Sequence, residues 1–394
     1  MKRPRAMVSL LAFTATASYL CRVNVSVTGG LMMREIGLSQ QTMGQIFSAF
    51  LIGYAFCQIP AGMLVDRFGA ANVLAVAATV WVLATAIIGL GAASLTLLLL
   101  GRLLLGVAAA PTFPSSAKAI ALHLPENQRG RANGFVLAAI GFGSAIAPPL
   151  LSFLMVRIGW RVALLVSAIP AAIAGLAWLF WKSARSEQRA RVKFSLPRSP
   201  RFILLTFSYT LQGYVGYIFV FWFYIYLTEV RHFDLLRGGA FASLPWLLSI
   251  VSIPFGGWLF DRLAGPKWIV PATGLVGSGL LIVIGAFAVN AYFAAACLAL
   301  ATALVLGTEG PFWATMTALA GPHSGAAGGT MNMGSNIGGF ISPAITPILA
   351  AHIGWAGALQ ISGGLAIIAG VVWLIIGRSI APAAELGVAA DTQS

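Results

Sequence analysis

Long apolar runs separated by short polar joints repeat along the chain from end to end. Twelve of them are long enough for a helix to cross a bilayer core of about 30 Å. They span roughly 8–30, 43–65, 72–92, 95–117, 132–156, 161–182, 200–227, 238–260, 267–289, 291–318, 326–350 and 355–377. The runs are continuous rather than alternating, which argues against the half-polar strands of an outer-membrane barrel and leaves helices as the spanning element. No interval between them is large enough for a soluble domain. The pattern predicts an all-α membrane protein of twelve transmembrane helices. MKRPR followed by an apolar run has the outline of a signal peptide, with Ala15-Thr16-Ala17 as a small-residue cleavage pattern. The run continues well past that point and eleven more follow, so it reads as a retained first helix.

Composition agrees with this. The chain is 59% hydrophobic and 9% charged, whereas soluble domains run near a quarter charged. The net charge of +14 raises nucleic acid as a partner, but its distribution argues otherwise. With an even number of spans both termini lie on one side. Placing them in the cytoplasm leaves Arg34, Arg157, Arg161, Arg231 and Arg237 outside and Arg22 and Arg102 within spans. The remaining Lys and Arg, out of 24, fall on the cytoplasmic side. This is the positive-inside bias of a multi-pass protein of the inner membrane, so the expected partner is the lipid bilayer and not nucleic acid. Cys21, Cys57 and Cys297 all lie in predicted spans, which disfavours a disulfide framework. No phosphate loop occurs. No metal, cofactor or enzyme chemistry is expected.

An internal repeat organises the spans. GMLVDRFGAANVL at 62–74 is echoed by GWLFDRLAGPKWIV at 257–270, a shift of 195 from Asp66 to Asp261 and from Arg67 to Arg262. The same shift carries Ile158-Gly159-Trp160 onto Ile353-Gly354-Trp355, and Gly143 and Pro148 onto Gly338 and Pro343. The chain therefore reads as two parallel six-helix halves, 1–182 and 200–394, joined by a basic cytoplasmic linker at 183–199. The loop after span 2 resembles the signature of major facilitator transporters, with Gly62, Asp66, Arg67 and Gly69 in place. The copy at Asp261 and Arg262 is degraded. The resemblance implies the twelve-helix, two-bundle major facilitator fold. The loop reads either as a latch between two rocking states or as a tight turn whose charges set topology.

Three charged residues lie well inside spans: Arg22, Arg102 and Glu309. Arg22 is about 22 Å into its run at 1.5 Å per residue, near the bilayer midplane, where an arginine costs about 2.5–3.5 kcal/mol on insertion scales. In span 4, Gly106, Ala109 and Ala110 share the helical face of Arg102 and would leave a slot beside its guanidinium. Two arginines with one acid leave a positive interior, and arginine takes carboxylates bidentately. The alternative is structural pairing with carbonyls or with Glu309.

The stretch Tyr19-Leu20-Cys21-Arg22-Val23-Asn24 resembles the first helix of the anion:cation symporter family, whose members carry sugar acids, aromatic acids, sialic acid and glutamate. The span 2 stretch from Gly44 to Gly69 and the segment from Gly310 to Pro343 are also similar to it. The resemblance implies substrate contacts at Tyr54, Trp313 and Asn332; Arg22 and Arg102 are the candidates from buried charge, and Tyr19 shares the helical face of Arg22 at a spacing of three. Proton-coupled members often carry acids at the positions occupied here by Cys21 and Ala109. That leaves Glu309 as the proton-coupling candidate, with structural pairing or cation binding as alternatives. The expectation is a monomeric transporter of a small organic anion driven by a co-transported proton, with sodium as the alternative ion. An uncoupled facilitator or exchanger, and more remotely a drug-efflux antiporter, are the rivals.

Overall fold

Polar residues at the joints fix where the helices begin. The computed structural model describes residues 2–91, 94–181, 199–321 and 324–378. The linker expected at 183–199 lies outside the described residues apart from Ser199. The helices are α1 (Lys2–Ile36), α2 (Gln40–Phe68), α3 (Ala70–Leu90), α4 (Leu95–Ala109), α5 (Thr112–His123), α6 (Glu126–Val166) and α7 (Ile169–Leu179) in the first half of the chain. In the second are α8 (Pro200–Ile225), running into a π-helical turn at Tyr226–Val230, then α9 (Leu235–Arg262), α10 (Ile269–Phe287), α11 (Ala291–Gly307), α12 (Glu309–Ala320) and α13 (Ser324–Arg378). Ser39, Ser94, Ser199 and Asp234 cap α2, α4, α8 and α9, each accepting the amide three residues on, as capping residues do.

Ten segments among the described residues are long and apolar enough to span a membrane, and two of these run to 52 and 51 residues. The run expected at 132–156 is continuous with that at 161–182, and 326–350 with 355–377. Each pair meets at a glycine, Gly159 with φ 77° and Gly354 with φ 76°, where two helices join with non-helical geometry. Only glycine adopts that conformation without strain. One residue makes each turn. The two glycines are also related by the 195-residue shift.

Helix α1 packs on α6, α8 on α13, and α2 on α4; the halves of the chain meet through α1–α8, α2–α13 and α6–α9. Cross-half bonds run from the end of α1 towards the middle. Arg34 pairs with Glu229 at 3.3 Å, Ser152 Oγ with Tyr224 Oη at 3.1 Å, and Ser48 Oγ donates to the Phe340 carbonyl at 2.7 Å.

Candidate anion site

At mid-depth, α1, α2, α8 and α13 bring polar side chains together. Arg22 is 7% exposed. Its Nη1 donates to Tyr19 Oη at 3.3 Å and its Nη2 to Tyr217 Oη at 2.6 Å. The rings of Phe50, Tyr19, Tyr54 and Tyr217 surround the guanidinium carbon at 5.0, 5.1, 5.2 and 5.4 Å. Each such face is worth roughly 0.5–2 kcal/mol to a cation. That holds the group in place but does not neutralise it. The Arg22 Nε has no partner. Among the described residues neither Arg22 nor Arg102 pairs with a carboxylate.

A hydrogen-bonded chain leads from Arg22 into the second half. Tyr217 Oη donates to Asn336 Oδ1 at 3.3 Å. Asn336 Nδ2 donates to the Asn332 carbonyl, and Asn332 Nδ2 to Gln58 Oε1, both at 2.9 Å. Asn332 thus joins α13 to α2. Glu309 heads α12, half-buried. Its Oε2 accepts from Tyr209 Oη at 2.7 Å and its Oε1 from Gln212 Nε2 at 2.9 Å, so its partners are neutral donors on α8 rather than an arginine. Trp313 is 40% exposed and stands against Gly328.

Arg102 sits apart from this cage. It is fully buried, across Phe50 from Arg22, with its guanidinium carbon 5.0 Å from the Phe50 ring centre. Its Nη1 donates to the backbone carbonyl of Arg22 at 3.2 Å, while Nε and Nη2 have no partner. The slot expected from Gly106, Ala109 and Ala110 is not open. A Cβ on Gly106 would lie 2.0 Å from the Phe50 carbonyl oxygen, so the backbone of α2 fills that face. Cys21 faces the other way, with Sγ 3.9 Å from the Ser167 carbonyl oxygen.

In the signature loop, Asp66 pairs with Lys118 at 2.8 Å, and Lys118 also donates to the Val65 carbonyl. Arg67 lies over Phe68. Gly69, at φ 82°, ends α2 and begins α3. A Cβ on Gly62 would meet nothing within 4 Å, so here Gly62 makes no close helix contact. In the second copy, Asp261 and Arg262 are exposed and Arg262 lies over Trp258.

Reading the sequence missed Phe50, Tyr209, Gln212 and Tyr217. The last three all stand on α8, with Tyr209 and Gln212 three apart on one face. The repeat itself carried a signal for Tyr217: the 195-residue shift applied to Arg22 lands on it.

Residues 11–340 match the sequence profile described as the Major Facilitator Superfamily. The chain belongs to that superfamily. A probable sulfoacetate transporter of Cupriavidus necator is 29% identical over 374 residues, covering 88% of this chain and 87% of its own. A hexuronate transporter of Bacillus subtilis is 26% identical, with 96% and 97% covered. A D-galactonate transporter of Escherichia coli is 26% identical, with 95% and 96% covered. Among solved structures, a bacterial homologue of the human lysosomal transporter Spinster superposes with a TM-score of 0.83 at 16% identity, covering 95% of this chain and 97% of that one. That likeness concerns the fold. The protein is a multi-pass membrane transporter of the major facilitator type and not an enzyme.

Proposed function

We propose that this transporter carries a small organic anion bearing a carboxylate, with Arg22 as its principal ligand. One observation carries the reading. A guanidinium near mid-depth is ringed by Tyr19, Phe50, Tyr54 and Tyr217 and has no carboxylate partner among the described residues. Burying an unpaired charge is costly, and an incoming carboxylate supplies the missing partner bidentately. The acids named for the relatives, sulfoacetate, hexuronate and galactonate, all carry that group. Arg102 supports the site from behind by holding the Arg22 carbonyl and adding positive potential. Tyr54, Asn332 and Trp313 contact the rest of the substrate.

The two 195-related glycine joints divide the ten long segments into twelve crossings, six in 1–182 and six in 200–394, joined by the linker at 183–199. These two bundles rock around the midplane site in alternating access, with the Asp66 loop acting on the rate. The protein is a monomer in the inner membrane with both termini in the cytoplasm. A proton bound at Glu309 couples uptake to the gradient. A second reading, an uncoupled facilitator or exchanger, draws on the two neutral donors on Glu309, which suit a carboxylate that stays fixed. A panel of mono- and dicarboxylates screened by thermal shift, then followed by uptake into proteoliposomes at two pH values, tests both. Failure of every acid to stabilise the protein overturns the anion reading. Uptake indifferent to a proton gradient selects the facilitator.

A further inference from the structure

We propose that Tyr217 is the stand-in ligand for the substrate's acid group, the residue that lets the empty transporter close and recycle. The inference rests on the assignment of Arg22 as the anion ligand. A guanidinium offers a planar fork along its Nε–Nη2 edge that fits the two oxygens of a carboxylate or sulfonate. On Arg22 that edge is half occupied. Nε has no partner, and Nη2 is held by Tyr217 Oη at 2.6 Å. Tyr217 belongs to α8 and Arg22 to α1, so this bond joins the two halves of the chain at the point where an acid group would dock.

The hydroxyl is positioned for the task. Its proton goes to Asn336 Oδ1 at 3.3 Å, which leaves the oxygen lone pairs for Arg22. The ring stacks on Phe221 at 5.9 Å. It also lies so close to Gly339 that a Cβ there would be 2.4 Å from Tyr217 Cδ2, so glycine is what leaves room for the ring. Phenol is a neutral acceptor. It satisfies one arm of the fork without supplying a counter-charge, so an arriving acid displaces it.

The stand-in matters in one step of the cycle. When substrate is exchanged for substrate, access to Arg22 switches sides with an anion bound. In net uptake the carrier must return empty, and access would then switch with neither arm of that edge satisfied. Tyr217→Phe keeps the ring on Gly339 and Phe221 and removes only the hydroxyl. In proteoliposomes supplied with labelled D-glucuronate, D-galactonate or sulfoacetate, counterflow by this variant should have an equal or lower KM and a maximal rate within about twofold of wild type. Net uptake should fall at least about tenfold, the scale of one charge-assisted hydrogen bond. A purely structural role would slow both modes together.

Equal loss in both modes, unchanged net uptake, or a raised counterflow KM overturns the stand-in. Should Tyr217→Phe fail to give monodisperse protein, Asn336→Leu removes the hydroxyl's acceptor instead. It should give the same split at smaller size, and equal loss or no change overturns the proposal. The two assignments fail differently. Wild-type protein without counterflow on any of these acids overturns the anion reading and the stand-in with it. Normal wild-type counterflow without the split in the variants overturns the stand-in alone.

Discussion

A lysine at position 22 would keep the charge and the depth of Arg22 but replace a planar fork with a flexible point charge. The cage distances of 5.0–5.4 Å suit a flat guanidinium lying among rings, and a two-point contact to an acid is lost with it. Arg22→Lys should therefore lower uptake roughly 30- to 100-fold, the scale of a charge-assisted bond. Insertion and the elution profile of the purified protein should not change. Uptake near wild type would remove Arg22 from the site. Residues of this kind were legible in the sequence because a charge inside an apolar run is costly and stands out. Arg22, Arg102 and Glu309 announced themselves, Tyr19 followed from its spacing of three to Arg22, and Tyr54 and Asn332 came with the family resemblance. Phe50, Tyr209 and Tyr217 did not, since an aromatic in a membrane helix reads equally as packing or interface belt. Their roles come from partners far away in the chain, as with Tyr217 and Arg22, which no local period encodes.

At the scale of the element, two features invite measurement. The Asp66–Lys118 pair ties the end of α2 to α5 at the membrane edge, far from Arg22. Asp66 is 77% exposed at its side chain, so the pair adds little to stability. Asp66→Asn should slow turnover several-fold while leaving the dissociation constant of the anion within about twofold of wild type. A collapse in affinity at unchanged turnover would end the latch role. The glycine joints are the second feature. Gly354 sits at φ 76° with open space where a Cβ would go, so an alanine there suffers backbone strain without a clash. Gly354→Ala should cost about 1–3 kcal/mol, read as a lower thermal midpoint in detergent, and Gly159→Ala should match it if the repeat is also energetic. The joints were half-visible in the sequence. The Ile-Gly-Trp triplets at 158–160 and 353–355 marked the repeat and the breaks between runs, but apolar periodicity could not reveal that a single positive-φ glycine makes each turn.

Energy coupling belongs to the whole molecule, because a gradient acts on a complete cycle rather than on one contact. Among the described residues, Glu309 is the acid at mid-span that meets the second-half wall of the site through Tyr209 and Gln212. Those two residues and Tyr217 all stand on α8, so a single helix touches both the acid and the arginine. A proton arriving at Glu309 would change which way the Tyr209 hydroxyl points, and α8 is the element placed to pass that change towards Arg22. Glu309→Gln fixes the neutral state with nearly the same shape. It should keep anion binding and anion-for-anion counterflow close to wild type, since neither needs deprotonation. It should lose accumulation driven by an inward proton gradient, by about tenfold or more if that proton is the coupling ion. Counterflow and gradient-driven uptake measured in one liposome preparation separate the outcomes. Gradient-driven uptake that survives in the glutamine variant removes Glu309 from coupling. A wild type indifferent to the gradient makes the protein a facilitator, in which Tyr209 and Gln212 simply hold a fixed carboxylate in the wall of the site.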